Sequence, residues 1–175
     1  MDVQPQEFDF DVEKAVEQAL QRRIELWQLA TGVAAAEKAL ELATNDYTAG
    51  LTREAARVEL EIRRRQLRQA QDGIELEVRA AYQKMREQHG RIAVTEAELA
   101  EAEETMRVLE AMFRADMATQ VQVMEALTGL IKARTDAIHA RFDVRVAEAD
   151  FFSAMGWTLA EREAWEKEIG RRVED

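Results

Sequence analysis

One run of residues constrains this chain more than any other. From Ile74 the positions Val78, Ala81, Met85, Gln88, Ile92, Thr95, Leu99, Ala102, Met106, Leu109 and Phe113 recur in alternating steps of four and three. Such steps keep one stripe of a helix facing a single partner, which is the pattern of a coiled-coil seam. Only Gln88 and Thr95 are polar. Leu60 and Leu67 carry the same phase upstream across Gly73, so one helix over 53–112 is expected. The segment Gln71-Asp72-Gly73 is its main rival break point and Gly90 the lesser one.

The flanks read as two shorter helices. A lead at 1–10 precedes a helix over 12–46, for which Asp9 or Asp11 can serve as N-cap with Glu13 favourable in the first turn. Its apolar positions are Val12, Ala15, Ala19 and Leu20, then Ile24, Trp27, Ala30, Ala34 and Leu40, and the phase wobbles at Gln21-Arg22-Arg23. The stretch NDYTAGLT (45–52) reads as a turn. Gly50 suits a left-handed helix end, and Thr52 suits the N-cap of the long helix.

The second turn has neither glycine nor proline. Phe113 closes the seam, and Thr119 stands three residues before Gln122, the spacing of a capping box that starts a helix. Residues 114–118 are therefore expected to turn, with Asp116 taking the left-handed conformation at some cost. A third helix over 119–155 would present Met124, Leu127, Ile131, Ile138, Phe142, Val146 and Phe152. Gly156 ends it, and Thr158 with Glu161 starts a short terminal helix by the same device. Trp157 and Trp165 are read as pinning that helix, and Trp27 as packing.

The expected fold is thus all-α: three long antiparallel helices in a Z, short, long and short, plus the short terminal helix. The middle one would span roughly 90 Å and the outer two roughly 50–55 Å each. Composition agrees, with 47% hydrophobic and 34% charged residues and one proline, a balance typical of long helices. A layer this thin has little interior and leaves apolar residues on outer faces, which predicts self-association.

An internal similarity links the turns. Tyr47-Thr48-Ala49-Gly50-Leu51-Thr52 and Phe113-Arg114-Ala115-Asp116-Met117-Ala118 put an aromatic at a helix end before a turn, with Glu59 or Glu125 following at equal distance. The second copy, FRADMATQVQVMEA (113–126), resembles the periplasmic tip turn of the TolC-like outer-membrane efflux proteins. There an aromatic–Arg–x–Gly–x–x–Thr/Ser turn precedes an Asp-Val-Leu-Asp-Ala segment. IELEVRAAYQKM (74–85) resembles that family's entry into its long helix, ALQRRIEL (19–26) its Arg-Pro-Glu-Leu helix start, and FFSAMG (151–156) its Leu-x-x-Ala-Leu-Gly end. The likeness covers about 12–156, one of the two repeats such proteins carry, with 157–175 as a terminal helix and tail.

The resemblance has specific implications. The chain would be a structural component of an efflux or export duct, assembling with itself as a trimer or hexamer and associated with the periplasm or outer membrane. A periplasmic adaptor would dock on Phe113, Arg114, Ala115, Asp116, Met117 and Thr119. Gln122 and Glu125 would line the pore mouth, where an acidic ring favours cations; a surface glutamate on a wet helix face is the plainer reading of Glu125. The family's membrane hairpin would fall at Tyr47, Gly50 and Thr52, where this chain has only a short turn. Three departures stand out: Asp116 for glycine, Ile24 for proline, and Gln122 for aspartate.

Other classes fare less well on sequence. A net charge of −11 opposes nucleic-acid binding, and the local cluster Arg63-Arg64-Arg65 with Arg68 does not outweigh it. No stretch approaches the ~20 apolar residues of a membrane span. The acidic start Met1-Asp2-Val3 lacks the basic and apolar regions of a signal peptide, so the chain as it stands is expected to be soluble, or a processed form if it works outside the cytoplasm. No enzyme and no cofactor is expected, since no nucleophile elbow or phosphate-binding glycine loop occurs. Asp136 and His139 share a helix face, but a di-metal bundle needs two such pairs, and His89 follows Glu87 by only two residues. The acidic run Glu96, Glu98, Glu101, Glu103 and Glu104 reads as a wet face. A soluble coiled-coil interaction or scaffold protein is the competing reading.

Overall fold

A computed structural model of the chain describes residues 11–44, 49–158 and 160–164. Every element among them is helical, and no strand occurs among the described residues, so the fold class is all-α. The elements are α1 (Val12–Arg22), α2 (Ile24–Ala43), α3 (Gly50–Arg114) and α4 (Gln120–Ala154). A short helical stretch over 160–164 comes after them. The lead at 1–10, Tyr47, and Trp165 with the tail lie outside the described residues.

Asp11 caps α1 by accepting a hydrogen bond from the Glu13 N–H at 3.1 Å. The expected first helix is interrupted at Arg23, whose extended backbone (φ −68°, ψ 118°) both ends α1 and precedes α2. The guanidinium of Arg23 repairs the break. It donates to Glu25 Oε1 at 2.7 Å, Glu77 Oε2 at 3.0 Å and the Ala154 carbonyl at 3.2 Å. Beyond the break the apolar phase shifts. Leu26 and Ala36 are buried, whereas Ile24 and Trp27 are exposed, so Trp27 does not pack into the core of the described residues.

The long helix α3 runs through Gly73 and Gly90 without interruption for 65 residues, roughly 100 Å. Its start corrects one expectation. Gly50 is already helical, and Thr52 lies inside the first turn with its N–H donating to the Ala49 carbonyl at 3.0 Å, so neither acts as the left-handed stop or the cap.

The described residues form two compact units. One is Tyr82–Asp150; the other takes the described residues of 11–81 and 151–164. In the second unit Ala15, Val16 and Ala19 of α1, Leu26 and Ala36 of α2, Leu60, Ile74 and Val78 of α3, and Phe151, Phe152 and Met155 form the core. Trp157 seals it, stacking on Phe152 with ring centroids 5.3 Å apart and donating to Gln18 Oε1 at 3.3 Å.

The unit Tyr82–Asp150 is an antiparallel hairpin of α3 and α4. Ion pairs fix its register, Lys84 with Asp150 at 2.8 Å, Arg141 with Glu96 at 3.0 Å and Arg134 with Glu103 at 3.1 Å, and His89 Nε2 hydrogen-bonds with Glu148 Oε1 at 3.0 Å. The seam faces inward as read: Met85, Ile92 and Thr95 are buried, and Leu99, Ala102, Met106 and Leu109 are half-buried. Thr95 Oγ1 donates to the Ile92 carbonyl at 3.0 Å, which satisfies its hydroxyl inside the seam. The Gln88 Oε1 is buried and makes no hydrogen bond among the described residues.

Candidate functional site

The turn between α3 and α4 forms as its sequence demands. The Met117 N–H reaches back to the Met112 carbonyl at 2.8 Å, and the Asp116 N–H to the Phe113 carbonyl at 3.1 Å. These are the two bonds of a Schellman motif, which closes a helix around one left-handed residue. That residue is Asp116, with φ 56°, the one non-glycine residue at positive φ among those described. Thr119 then caps α4: the Gln122 N–H donates to Thr119 Oγ1 at 3.3 Å, and the Thr119 N–H donates to Gln122 Oε1 at 2.8 Å. The end of α4 repeats the device with the usual residue. Gly156 has φ 74°, the Trp157 N–H donates to the Phe152 carbonyl at 3.0 Å, and the Glu161 N–H donates to Thr158 Oγ1 at 3.4 Å.

The tip residues are exposed. Phe113 occupies the last turn of α3 and Arg114 its final position, where Nη2 donates to Glu110 Oε2 at 3.3 Å. Met117, Val121 and Met124 keep most of their surface in solvent, so Schellman geometry projects an apolar strip at the tip. A shallow hollow of about 550 Å³ lies beside it, lined by Gln120, Val121, Met124, Glu125 and Thr128. The other copy of the internal similarity differs: Gly50 is helical where Asp116 is left-handed, and Tyr47 lies outside the described residues.

Glu125 is exposed, and a second groove of about 360 Å³ places it with Glu98 and Glu101 across Ala102, Ala126 and Gly129. The acidic run of α3 therefore divides. Glu98 and Glu101 share one side of the hairpin with Glu125, while Glu96 and Glu103 are tied by Arg141 and Arg134 on the other. Asp136 and Asp143 of α4 fall by helical spacing on the Glu125 side, making that side strongly acidic.

The periodicity of α4 left its buried face open, and the structure assigns it. The seam of α3 meets small residues there: Leu130, Ala137, Ala140, Val144 and Ala147 are buried and Ala133 is half-buried. Met124, Ile131, Ile138 and Phe142 of the expected apolar series each keep more than half of their surface exposed. The physical reason is space. α3 fills the interface with Met85, Ile92, Leu99 and Met106, and close helix approach then selects alanine opposite. The large residues of α4 make a second stripe, through Val121, Met124, Thr128, Ile131, Thr135, Ile138 and Phe142, on the opposite side of the helix.

A buried carboxylate also went unread in the sequence. Glu148 interrupts the α4 seam at 4% exposure and accepts from Arg145 Nη1 at 3.0 Å while pairing with His89 Nε2. Its signal was its place at a seam position beside Ala147. Asp136 is half-buried and His139 exposed, and no group of three or more His, Asp or Glu gathers at metal-binding distance among the described residues. No helix of the described residues is long and apolar enough to cross a membrane. No known protein-family profile matches the sequence, and no curated protein is significantly similar to it.

Proposed function

We propose that this chain is a TolC-like helical repeat acting as a structural part of an efflux or export duct. In this reading it has no catalytic role. α2 rises, α3 descends the full length of the repeat and α4 returns, giving the Z arrangement; copies assemble side by side into an α-helical barrel. The observation that carries the reading is the two-sided apolar patterning of α4. A barrel wall requires each helix to pack against a neighbour on both sides, and α4 fills one seam within the chain while holding a second in reserve. The acidic side shared by Glu98, Glu101, Glu125, Asp136 and Asp143 suits a wall facing a cation-selective lumen, with Glu125 and Gln122 nearest the mouth.

The tip at 113–119 is the docking site for a periplasmic adaptor in this reading. Its support is an apolar surface formed by Phe113, Met117 and Val121 on a turn fixed by the Schellman bonds and the Thr119 capping box. Titrating the isolated helical hairpin of a periplasmic adaptor into the chain tests it. Saturable binding that Met117→Asp abolishes is the expected result, and no binding by the unaltered chain refutes the docking role.

One observation favours the competing reading, a coiled-coil interaction or scaffold protein without transport. α2 ends at Ala43 and α3 begins at Gly50. A membrane β-strand needs about 9–11 residues, so the segment 44–49 has no room for a membrane hairpin. In a duct built from this repeat, the segment 44–49 contributes no membrane strands.

A further inference from the structure

The second stripe of α4 has a specific complement, and it lies on the same chain. Within the hairpin, the large seam of α3 packs against the small seam of α4. On the outer side the sizes reverse. The face of α3 turned away from α4 carries Gly90, Ala93, Val94, Ala97 and Ala100, all exposed. α4 presents its large residues outward and α3 its small ones, so each face lacks what the other supplies.

We infer that the Ile138 and Phe142 end of the outer stripe of α4 packs against the Gly90–Ala100 face of α3 in a second copy of this chain, rather than against another α4 stripe. The proposal rests on the self-assembly reading above and names the faces that meet. Such a contact is heterologous, and repetition around a closed ring satisfies both faces of every copy. A ring without axial step sets neighbouring copies at equal height, so the register of the hairpin carries over to the contact between copies. Arg141 with Glu96 and Arg134 with Glu103 mark that register, and they set Ile138 level with the stretch 97–101 and Phe142 level with Val94. Phe142 then enters the notch around Gly90, Val94 and Ala97.

Charge supports the same pairing. Lys132 borders the α4 stripe and makes no ion pair among the described residues, and Glu101 borders the α3 face and makes none either. In the heterologous contact both lie on the same edge, about 6 Å apart along the helix axes, within reach of a lysine side chain. Stripe-on-stripe packing by a two-fold axis perpendicular to the helices would instead oppose Phe142 and Ile138 with residues of the same large stripe.

The absence of cysteine makes the test clean. Ala97→Cys and Ile138→Cys on one chain lie on opposite outer faces of the hairpin and cannot join to each other. Under mild oxidation the double variant should give a ladder of disulfide-linked species ending at the closed ring, whereas each single variant should give none. A Val94→Cys with Phe142→Cys pair, checked for helicity by circular dichroism, repeats the test should the first pair fold poorly. A linked dimer from Ile138→Cys alone overturns the inference and leaves self-assembly standing. Absence of linkage in assembled protein likewise overturns it, and a monomeric unaltered chain overturns both the inference and the reading beneath it.

Discussion

Asp116 carries a left-handed backbone that most families of turns give to glycine, and this makes its replacement a sensitive probe. An L-residue in that region costs about 1–2 kcal/mol, with aspartate toward the lower end because its short side chain tolerates the conformation. Glycine removes the strain but adds about 0.4–1 kcal/mol of conformational freedom to the unfolded chain. With φ at 56° and both Schellman bonds retained, the difference leaves Asp116→Gly more stable by up to about 0.6 kcal/mol. For a chain of this size that is about 2–4 °C in Tm per kcal/mol. Asp116→Ala should lose about 0.5 kcal/mol and Asp116→Val about 1–2 kcal/mol, since the β-branched side chain meets the left-handed backbone at full cost. Thermal unfolding followed by circular dichroism at fixed protein concentration reads the series. The diagnostic is the order glycine, aspartate, alanine, valine. If residue 116 had an ordinary negative φ, alanine would be the most stable and glycine among the least, and that order would refute the left-handed tip.

Two further predictions concern the hairpin and the chain end. Ala140→Leu places a large side chain where the α3 seam leaves room for a methyl, and it should cost about 1–3 kcal/mol in Tm-derived stability, whereas Ile138→Ala on the outer stripe should change the stability of isolated chains by less than about 0.5 kcal/mol. The Glu161 carboxyl is held below its ordinary value of 4.5, first by the Thr158 N–H and then by Arg22. Its folded value is depressed, so its contribution is present above pH 4.5 and is lost as the pH falls through the lowered value. Protection factors of the amides at 160–164, taken relative to the intrinsic exchange rate at each pH, should therefore fall on acidification before those of the core at Phe151 and Phe152 do.

The helices and their caps were legible because they depend on local chemistry. The seam of α3, the box at Thr119 and Gln122, the box at Thr158 and Glu161, and the left-handed Asp116 and Gly156 all follow from residues within a turn or two. The facing of α4 was not, because hydrophobicity alone favours Ile131, Ile138 and Phe142 over the alanines beside them. Which stripe goes inward depends on the volume α3 has already placed in the interface, a property of the pair rather than of either helix. The break at Arg23 was visible only as a disturbed phase. Neither proline nor glycine marks it, and what holds it is a guanidinium satisfied by Glu77 and the Ala154 carbonyl, both distant in sequence. At Gly50 the turn chemistry misled, since a glycine can also open a helix.

The duct reading stands or falls with assembly through the second apolar face of α4. The mass of the chain in solution, measured by light scattering across a tenfold dilution, decides it. The expected result is a discrete closed assembly of three or six copies, converted by Ile138→Arg into monomers of unchanged helicity. An unaltered chain that stays monomeric or stops at a dimer would contradict it.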